Sequence, residues 1–245
     1  MKRLLICAVA VLGCSGAAVA DGMKSKVAPA APPDVSRWAG RYIGAFVGYA
    51  DGRATNTDLS GYNGIGTTVS VEENDFIAGL TLGYNVTSGG LLLGVESEYG
   101  YLGFEGSRQH PAIAALGSPA SDSSAIYKAG FYSTTMARLG LYNERMLAYA
   151  KVGVAFVDFE SSFVDTFPAG LTLVSGTKED GIKMGGAVGA GLEFALNSAW
   201  SAKFEWQRII LSDIEITATT NAGGTARFSN DAIFDTLKFG LNYRF

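Results

Sequence analysis

The segment Asp-Phe-Ile-Ala-Gly-Leu-Thr-Leu-Gly-Tyr-Asn, residues 75–85, decides the fold class of this chain. Its even positions, from Phe76 to Tyr84, are apolar, whereas its odd positions are small or polar apart from Ile77. Successive side chains of a strand point to opposite sides, so this alternation predicts a β-strand with one apolar face.

Seven more segments carry aliphatic and aromatic residues on one face and glycines or charges on the other. They are residues 42–50, 91–101, 134–142, 147–158, 183–194, 200–208 and 235–245. The alternation is weakest in the first of these. Strands of about 9 to 11 residues are long enough to cross a bilayer when tilted. We therefore predict eight antiparallel strands.

The connections between these strands alternate in length. Residues 85–90, 143–146 and 195–199 are short turns, whereas four connections run beyond twenty residues: 51–74, 103–130, 160–182 and 212–233. This is the pattern of an outer-membrane barrel with short periplasmic turns and long extracellular loops. We predict an all-β, eight-stranded antiparallel transmembrane β-barrel with four long extracellular loops.

Composition favours the membrane barrel over soluble alternatives. Charged residues make up 17% of the chain, against roughly 25% in an average soluble protein. A soluble β-sandwich would carry charges on its solvent face, yet the charges of these strands lie on the glycine-rich side. A net charge of −4 gives no basic surface for nucleic acid.

The N-terminal residues predict export. Lys2 and Arg3, an apolar stretch and Ala18-Val19-Ala20 have the three-part pattern of a signal peptide over residues 1–20. Alternatively, the segment ending at Cys14 resembles a lipoprotein cleavage box, which would place a lipid on Cys14. Residues 21–37 are rich in proline and alanine and predict a periplasmic tether, followed by the barrel over residues 38–245.

Charged side chains on the small-residue face would point into the barrel. Eight strands leave room only for side chains, and buried charges are costly unless paired. The main hypothesis is a salt-bridged plug, and the alternative is a narrow or gated pore for small solutes. The predicted lumen charge network contains Glu96, Glu98, Arg138, Lys151, Glu193, Lys203, Glu205, Lys238 and Arg244.

Nothing in the sequence predicts an enzyme, a metal site or a cofactor. Hydrolases need a base beside a nucleophile, and the single histidine, His110, lies beside Pro111 in a predicted loop. Both cysteines, Cys7 and Cys14, precede the predicted cleavage site, so neither a disulfide nor a thiolate metal site is expected in the mature chain.

Several motifs together resemble one known family. They are Trp38-Ala39-Gly40, Tyr42-Ile43-Gly44, Gly94-Val95-Glu96, Arg138-Leu139-Gly140, Gly189-Ala190-Gly191-Leu192-Glu193 and the final Leu241-Asn242-Tyr243-Arg244-Phe245. Over most of residues 38–245 the chain resembles the small porin-like outer-membrane barrels of alphaproteobacteria, which are major surface antigens similar in fold to the OmpA membrane domain.

The resemblance implies a structural role. We expect a barrel that supports the cell envelope, lies among outer-membrane lipid and lipopolysaccharide, and presents loops that contact a host or ligand. The resemblance also implies the second functional alternative, a surface receptor for haem or for adhesion, in which His110 is the candidate axial ligand for haem. The C-terminal segment resembles the signal read by the barrel-assembly machinery, which implies roles in assembly for Gly240, Tyr243 and Phe245.

Overall fold

A computed structural model describes residues 36–109, 123–165, 173–220 and 223–245. The predicted signal peptide, Cys14, His110 and nearly all of the predicted tether lie outside these described residues. No helix among them is long and apolar enough to cross a membrane.

Eight long antiparallel strands form one closed sheet in the described chain, which confirms the predicted fold class. The strands are β1 (Gly40–Asp58), β2 (Thr68–Ser88), β3 (Leu91–Gln109), β4 (Ser123–Tyr142), β5 (Met146–Asp165), β6 (Leu173–Ser175), β7 (Lys178–Ala195), β8 (Trp200–Thr220) and β9 (Thr225–Arg244). Each long strand pairs with its neighbours, and β1 pairs with β9 to close the sheet, so that Phe46 lies opposite Gly240. The short strand β6 pairs with β8 at the end of the barrel away from the short turns, which we call the upper end.

The outer face carries an apolar band bounded by aromatic side chains. At its upper limit Tyr49 meets Phe76 edge to face, with ring centroids 6.1 Å apart. At its lower limit Trp200 meets Tyr243 in the same way at 5.1 Å. Aromatic rings at both limits of an outward apolar band are typical of a barrel whose outer face contacts lipid.

The strands continue well beyond the apolar band, so the sequence prediction placed their upper ends too low. The long strands contain 18 to 21 residues, about twice the length that crosses a bilayer. Much of what was predicted as loop is therefore strand. The physical reason is visible in β1, where the outward residues change from Tyr49 to Asp51 and Arg53 while the inward residues stay buried. Outward polar residues remove the alternation that marks a lipid-facing strand. We call the part of the barrel above the apolar band the extension.

The interior is filled in layers. Near the short turns Trp38 packs with Leu92, Leu147 and Tyr149. Polar and charged side chains fill the next layer. The largest apolar cluster lies farther up and continues into the extension, with Phe46, Leu102, Phe104, Tyr132, Met136, Phe159, Leu211 and Phe234 among its members. The barrel thus encloses a packed core.

Candidate functional site

All nine residues of the predicted lumen charge network point into the barrel. Each is 6% exposed or less, and together they comprise four carboxylates and five cations. They come from strands β3, β4, β5, β7, β8 and β9. Charges removed this completely from water are tolerated only when paired and hydrogen-bonded, so their contacts determine what the interior can do.

Glu96 occupies the centre of the network. Its carboxylate accepts hydrogen bonds from Lys151 Nζ at 2.6 Å and from the Tyr42 hydroxyl at 2.7 Å. Lys203 Nζ lies 3.6 Å away and Arg138 3.8 Å away. Both oxygens of Glu96 are therefore satisfied by groups from other strands.

Glu193 joins two guanidinium groups. Arg138 donates to one of its oxygens at 2.5 Å, and Arg244 donates to the other. Ser201 and Asn242 donate to that second oxygen as well, Asn242 at 3.0 Å. Among the described residues, Glu193 is the carboxylate that both arginines of the network share.

Glu205 and Glu98 are linked through Lys238. The ammonium of Lys238 lies 2.9 Å from Glu205 and 2.7 Å from Glu98. Glu205 also pairs with Lys151 at 2.8 Å. Glu98 of β3 pairs with Lys238 of β9 and not with a cation of the adjacent strand β4, because side chains in a narrow lumen reach beyond the neighbouring strand.

Tyrosines complete the network, and the sequence reasoning missed them. Tyr42, Tyr132 and Tyr149 donate their hydroxyl protons to Glu96, Glu98 and Glu205. The Tyr149 ring also lies under the Arg138 guanidinium, 3.6 Å from its centre. Their positions along the strands could have identified them, because residues an even number of positions apart in a strand lie on the same face. Tyr149 lies on the same face as Lys151, and Tyr132 on the same face as Arg138.

Inward glycines make room for these rings. A Cβ atom placed on Gly83 would lie 2.2 Å from the Tyr42 ring, and one on Gly191 would lie 2.5 Å from the Tyr149 hydroxyl. Both distances are shorter than real contacts allow. The alternation of small and large inward residues is therefore part of how the network is built.

Three carboxylates, those of Glu96, Glu98 and Glu205, come within 4.8 Å of one another. Such a cluster has oxygen ligands that suit a divalent cation. Here the positions between them are taken by ammonium groups, because Lys151 bridges Glu96 to Glu205 and Lys238 bridges Glu98 to Glu205. The cluster is neutralised by the chain's own lysines, so we assign no metal to it.

Trp38 closes the end of the lumen beside the short turns. Its indole nitrogen donates to the backbone oxygen of Asn143 at 2.7 Å, and its own backbone oxygen accepts from Asn85 at 3.1 Å. Arg244 lies over the ring, 4.6 Å from its centre. The residue is fully buried. It links the start of the barrel to β2, to the turn between β4 and β5 and to the last strand.

The connection between β1 and β2 covers part of the opposite end. Tyr62 places its ring edge to face against Phe163 and Phe228, with both centroids 6.2 Å away. The Asp58 carboxylate accepts the backbone amides of Ser60 and Gly61 at 2.9 Å each, which fixes the path of the connection. Aromatic packing therefore continues to the top of the extension.

The three residues of the predicted assembly signal lie on β9 and at its end. Phe245 is 81% exposed and meets Tyr243 edge to face at 5.2 Å on the outer face. Gly240 faces the lumen, where a Cβ atom would lie 3.0 Å from the Lys203 side chain. Two outward aromatics and one inward glycine are therefore the features that a receptor for this segment would encounter.

The chain is similar to known outer-membrane proteins along its whole length. Residues 7–245 match the family model described as outer membrane protein beta-barrel domain. The 31 kDa outer-membrane immunogenic protein of Brucella melitensis is 30% identical, and the alignment covers 100% of both chains. The 25 kDa outer-membrane immunogenic protein of Brucella canis is 25% identical, covering 100% of this chain and 99% of the relative. Among solved structures, the outer membrane protease OmpT of Escherichia coli has a TM-score of 0.50 at 11% identity, covering 84% of this chain and 97% of that one.

Proposed function

The chain belongs to the family of outer membrane protein β-barrel domains and is a protein of the outer membrane, and from this we propose that it is a closed structural barrel. In this role it stabilises the envelope by its lipid-embedded wall and displays its extension to the outside. The relatives are immunogenic outer-membrane proteins, which supports surface exposure of this chain as well.

The main support for a closed structural barrel is the burial of its inward side chains. A water-filled pore would leave its lining exposed to water, yet the nine charges of the lumen charge network are 6% exposed or less. Leu102, Phe159 and Phe234 in the layer above them are 0% to 1% exposed. A hydrated ion would have to displace both layers to pass.

We also propose that the barrel has no catalytic activity. The solved protease structure similar to this chain is only 11% identical, which supports a shared fold and nothing about chemistry. Every carboxylate of the lumen charge network accepts from a lysine or arginine. These acids act as partners for cations and are not free to accept a proton from a substrate.

The proposal includes two kinds of partner, the surrounding lipid and the machinery that assembles the barrel. Outer-membrane lipid and lipopolysaccharide surround the apolar band, whose exposed residues include Val47, Leu80 and Phe239. The barrel-assembly machinery reads the C-terminal segment, and the exposure of Phe245 supports this role.

The test is the conductance of the purified full-length protein in a planar bilayer. We expect no steady single-channel steps from the parent protein, nor from Arg138→Ala, because the apolar layer above the network stays in place. The matched control is Glu105→Gln, which alters an exposed ion pair with Lys128 on the extension. Reproducible steps from the parent would establish the narrow porin instead. Steps from Arg138→Ala alone would establish a gated pore.

A further inference from the structure

A groove crosses the outer face of the barrel at the upper limit of the apolar band. It encloses about 700 Å³, which lies within the roughly 300 to 1,000 Å³ of pockets that hold small ligands. Tyr49 and Phe76, the aromatic pair at the upper limit of the band, form its upper side. The groove therefore lies where lipid chains meet lipid headgroups.

The groove follows a row of outward side chains that lie opposite one another on five strands. The row runs from Phe204 on β8 to Tyr101 on β3. Val47 and Ala78 in its middle are the smallest members, and they leave a depression beside Phe239. Five strands span roughly 19 Å at the usual spacing, which is comparable with the roughly 15 Å depth of hydrocarbon in one leaflet. One lipid chain therefore fits along the row.

The wall is irregular where the row ends at Tyr101. The pairing of β2 with β3 stops at Ala78 opposite Tyr101 within the described residues. The register of β3 with β4 shifts between Tyr101 and Phe104, and that of β4 with β5 shifts between Ala129 and Tyr132. Such irregularities redirect side chains and are over-represented beside functional sites.

Two exposed carboxylates lie at this end of the groove. The carboxylate of Asp75 lies against Gly103 of β3, where a Cβ atom would collide with it. A Cβ atom placed on Gly130 would lie 3.5 Å from the Tyr101 ring and 3.7 Å from the carboxylate of Asp158. The aromatic end of the groove and the two acids are therefore neighbours.

No ion pair neutralises these two carboxylates within the described part of the chain. Arg53 and Lys128, the cations beside them in the extension, each pair with a glutamate. Asp51, the next outward residue above the groove on β1, adds a third exposed carboxylate. Between the strands, the residues outside the described ranges contain no lysine or arginine. The upper end of the groove therefore carries a net negative charge, which favours a cationic group.

We propose that the groove binds one phospholipid whose headgroup carries an ammonium group. One acyl chain lies along the row over Val47 and Ala78. The ammonium group meets the carboxylates of Asp75 and Asp158 beside the Tyr101 ring. An ammonium group close to an aromatic ring is attracted by the ring as well as by the acids.

Lipopolysaccharide fits this site less well, because the exposed carboxylates would repel the phosphates of its headgroup. In a zwitterionic phospholipid the single phosphate is balanced by the ammonium group and lies nearer the chains. There the exposed hydroxyl of Tyr49 can donate a hydrogen bond to it. This inference rests on the proposed contact of the apolar band with lipid. A result against it would exclude a selective site and leave that general contact in place.

Native mass spectrometry of the full-length protein in detergent tests the choice of headgroup. The probes are dioleoyl phosphatidylethanolamine and dioleoyl phosphatidylglycerol at equal concentration, which share their chains. We expect the barrel to retain one phosphatidylethanolamine at least about fivefold more often than one phosphatidylglycerol. In Asp75→Asn/Asp158→Asn the two should be retained equally. The control Glu144→Gln removes an exposed carboxylate at a short turn and should keep the preference of the parent.

A filled groove tests the position of the lipid. Ala78→Phe occupies the depression from outside and leaves the lumen unchanged. We expect it to lower the retention of both phospholipids at least about fivefold. Ala137→Phe, at an exposed position of β4 outside the groove, should retain them as the parent does. Both variants should still change their migration in detergent gels on boiling, which marks a folded barrel.

Four results would overturn the proposal. Equal retention of the two phospholipids by the parent would show that the carboxylates do not select a headgroup. Preferred retention of lipopolysaccharide, added at the same concentration, would assign the groove to an anionic lipid. A parent that retains neither phospholipid, as a monomer or as a dimer, would have its groove filled by its own chain or by a second copy. Unchanged retention in Ala78→Phe would place the lipid elsewhere on the apolar band.

Discussion

Substitution of Glu193 by glutamine should destabilise the barrel more than any other single charge removal in the lumen charge network. The change keeps the size of the side chain and removes its charge. Arg138 would then retain only Glu96, at 3.8 Å, as an ion-pair partner. Arg244 would retain none among the described residues, and its remaining contacts would include the hydroxyl of Ser201 and the rings of Trp38 and Tyr42. One substitution therefore leaves two buried guanidinium groups short of a carboxylate.

The magnitude follows from the cost of an uncompensated buried charge. Breaking a buried ion pair by removing one partner costs about 3 to 5 kcal/mol, and Glu193→Gln affects two pairs. Arg138→Met should cost less, because Glu193 keeps Arg244 and Glu96 keeps Lys151. The control Glu105→Gln breaks the exposed pair with Lys128, and exposed pairs contribute about 0 to 1 kcal/mol.

The assay is equilibrium unfolding in urea of the three variants and the parent in lipid nanodiscs, monitored by tryptophan fluorescence. We expect the free energy of unfolding to fall most in Glu193→Gln, then in Arg138→Met, and least in Glu105→Gln. If Glu193→Gln stayed within about 1 kcal/mol of Glu105→Gln, water would be reaching these charges, and the account of a dry, ion-paired interior would be wrong.

Three further predictions concern closure and assembly. The folded protein should migrate differently in detergent gels before and after boiling, because a closed sheet with paired amides resists unfolding without heat; identical migration, or a far-ultraviolet spectrum dominated by helix, would contradict the fold. Phe245→Ala should reduce the amount of assembled barrel more than the amount synthesised, as measured by membrane fractionation, and equal membrane yields would show that the terminal aromatic is not read. Trp38→Ala should lower the free energy of unfolding by about 3 to 5 kcal/mol in urea, because it empties a buried position and removes the bond to Asn143; a cost below that of Trp206→Phe on the outer face would show that Trp38 does not hold the lower end together.

The sequence predicted the strands within the membrane because lipid imposes a strict rule on them. Most outward residues of such a strand are apolar, so a segment such as residues 75–85 shows its period of two directly. Above the apolar band, water accepts polar residues on the outer face, and the period weakens after Tyr49 although β1 continues to Asp58. The extension was therefore predicted as loop.

The sequence predicts which residues belong to the lumen charge network, but it does not predict which of them form ion pairs with each other. Parity along each strand places Glu98 and Lys238 inside the barrel, but they are 140 positions apart in the chain. Which cation each carboxylate meets depends on the stagger of the strands around the barrel, and that stagger is a property of the closed sheet. The sequence likewise does not predict that the hydrogen-bonded pairing of β7 with β8 ends at Gly186, because β7 alternates in the same way on both sides of that residue.

The most direct test of the sealed interior is the reactivity of a single cysteine at Thr134 toward a membrane-impermeant thiol reagent. Thr134 is inward on β4 and 1% exposed, and its hydroxyl has no hydrogen-bond partner among the residues that the structure describes, so Thr134→Cys is a small perturbation. Ser107→Cys, at an exposed position of the extension, is the matched reference. We predict that Thr134→Cys reacts at least about 100-fold more slowly, equivalent to a local opening cost of about 2.7 kcal/mol. Reaction of both cysteines at similar rates would mean that water and small solutes enter the lumen, and would contradict the closed barrel.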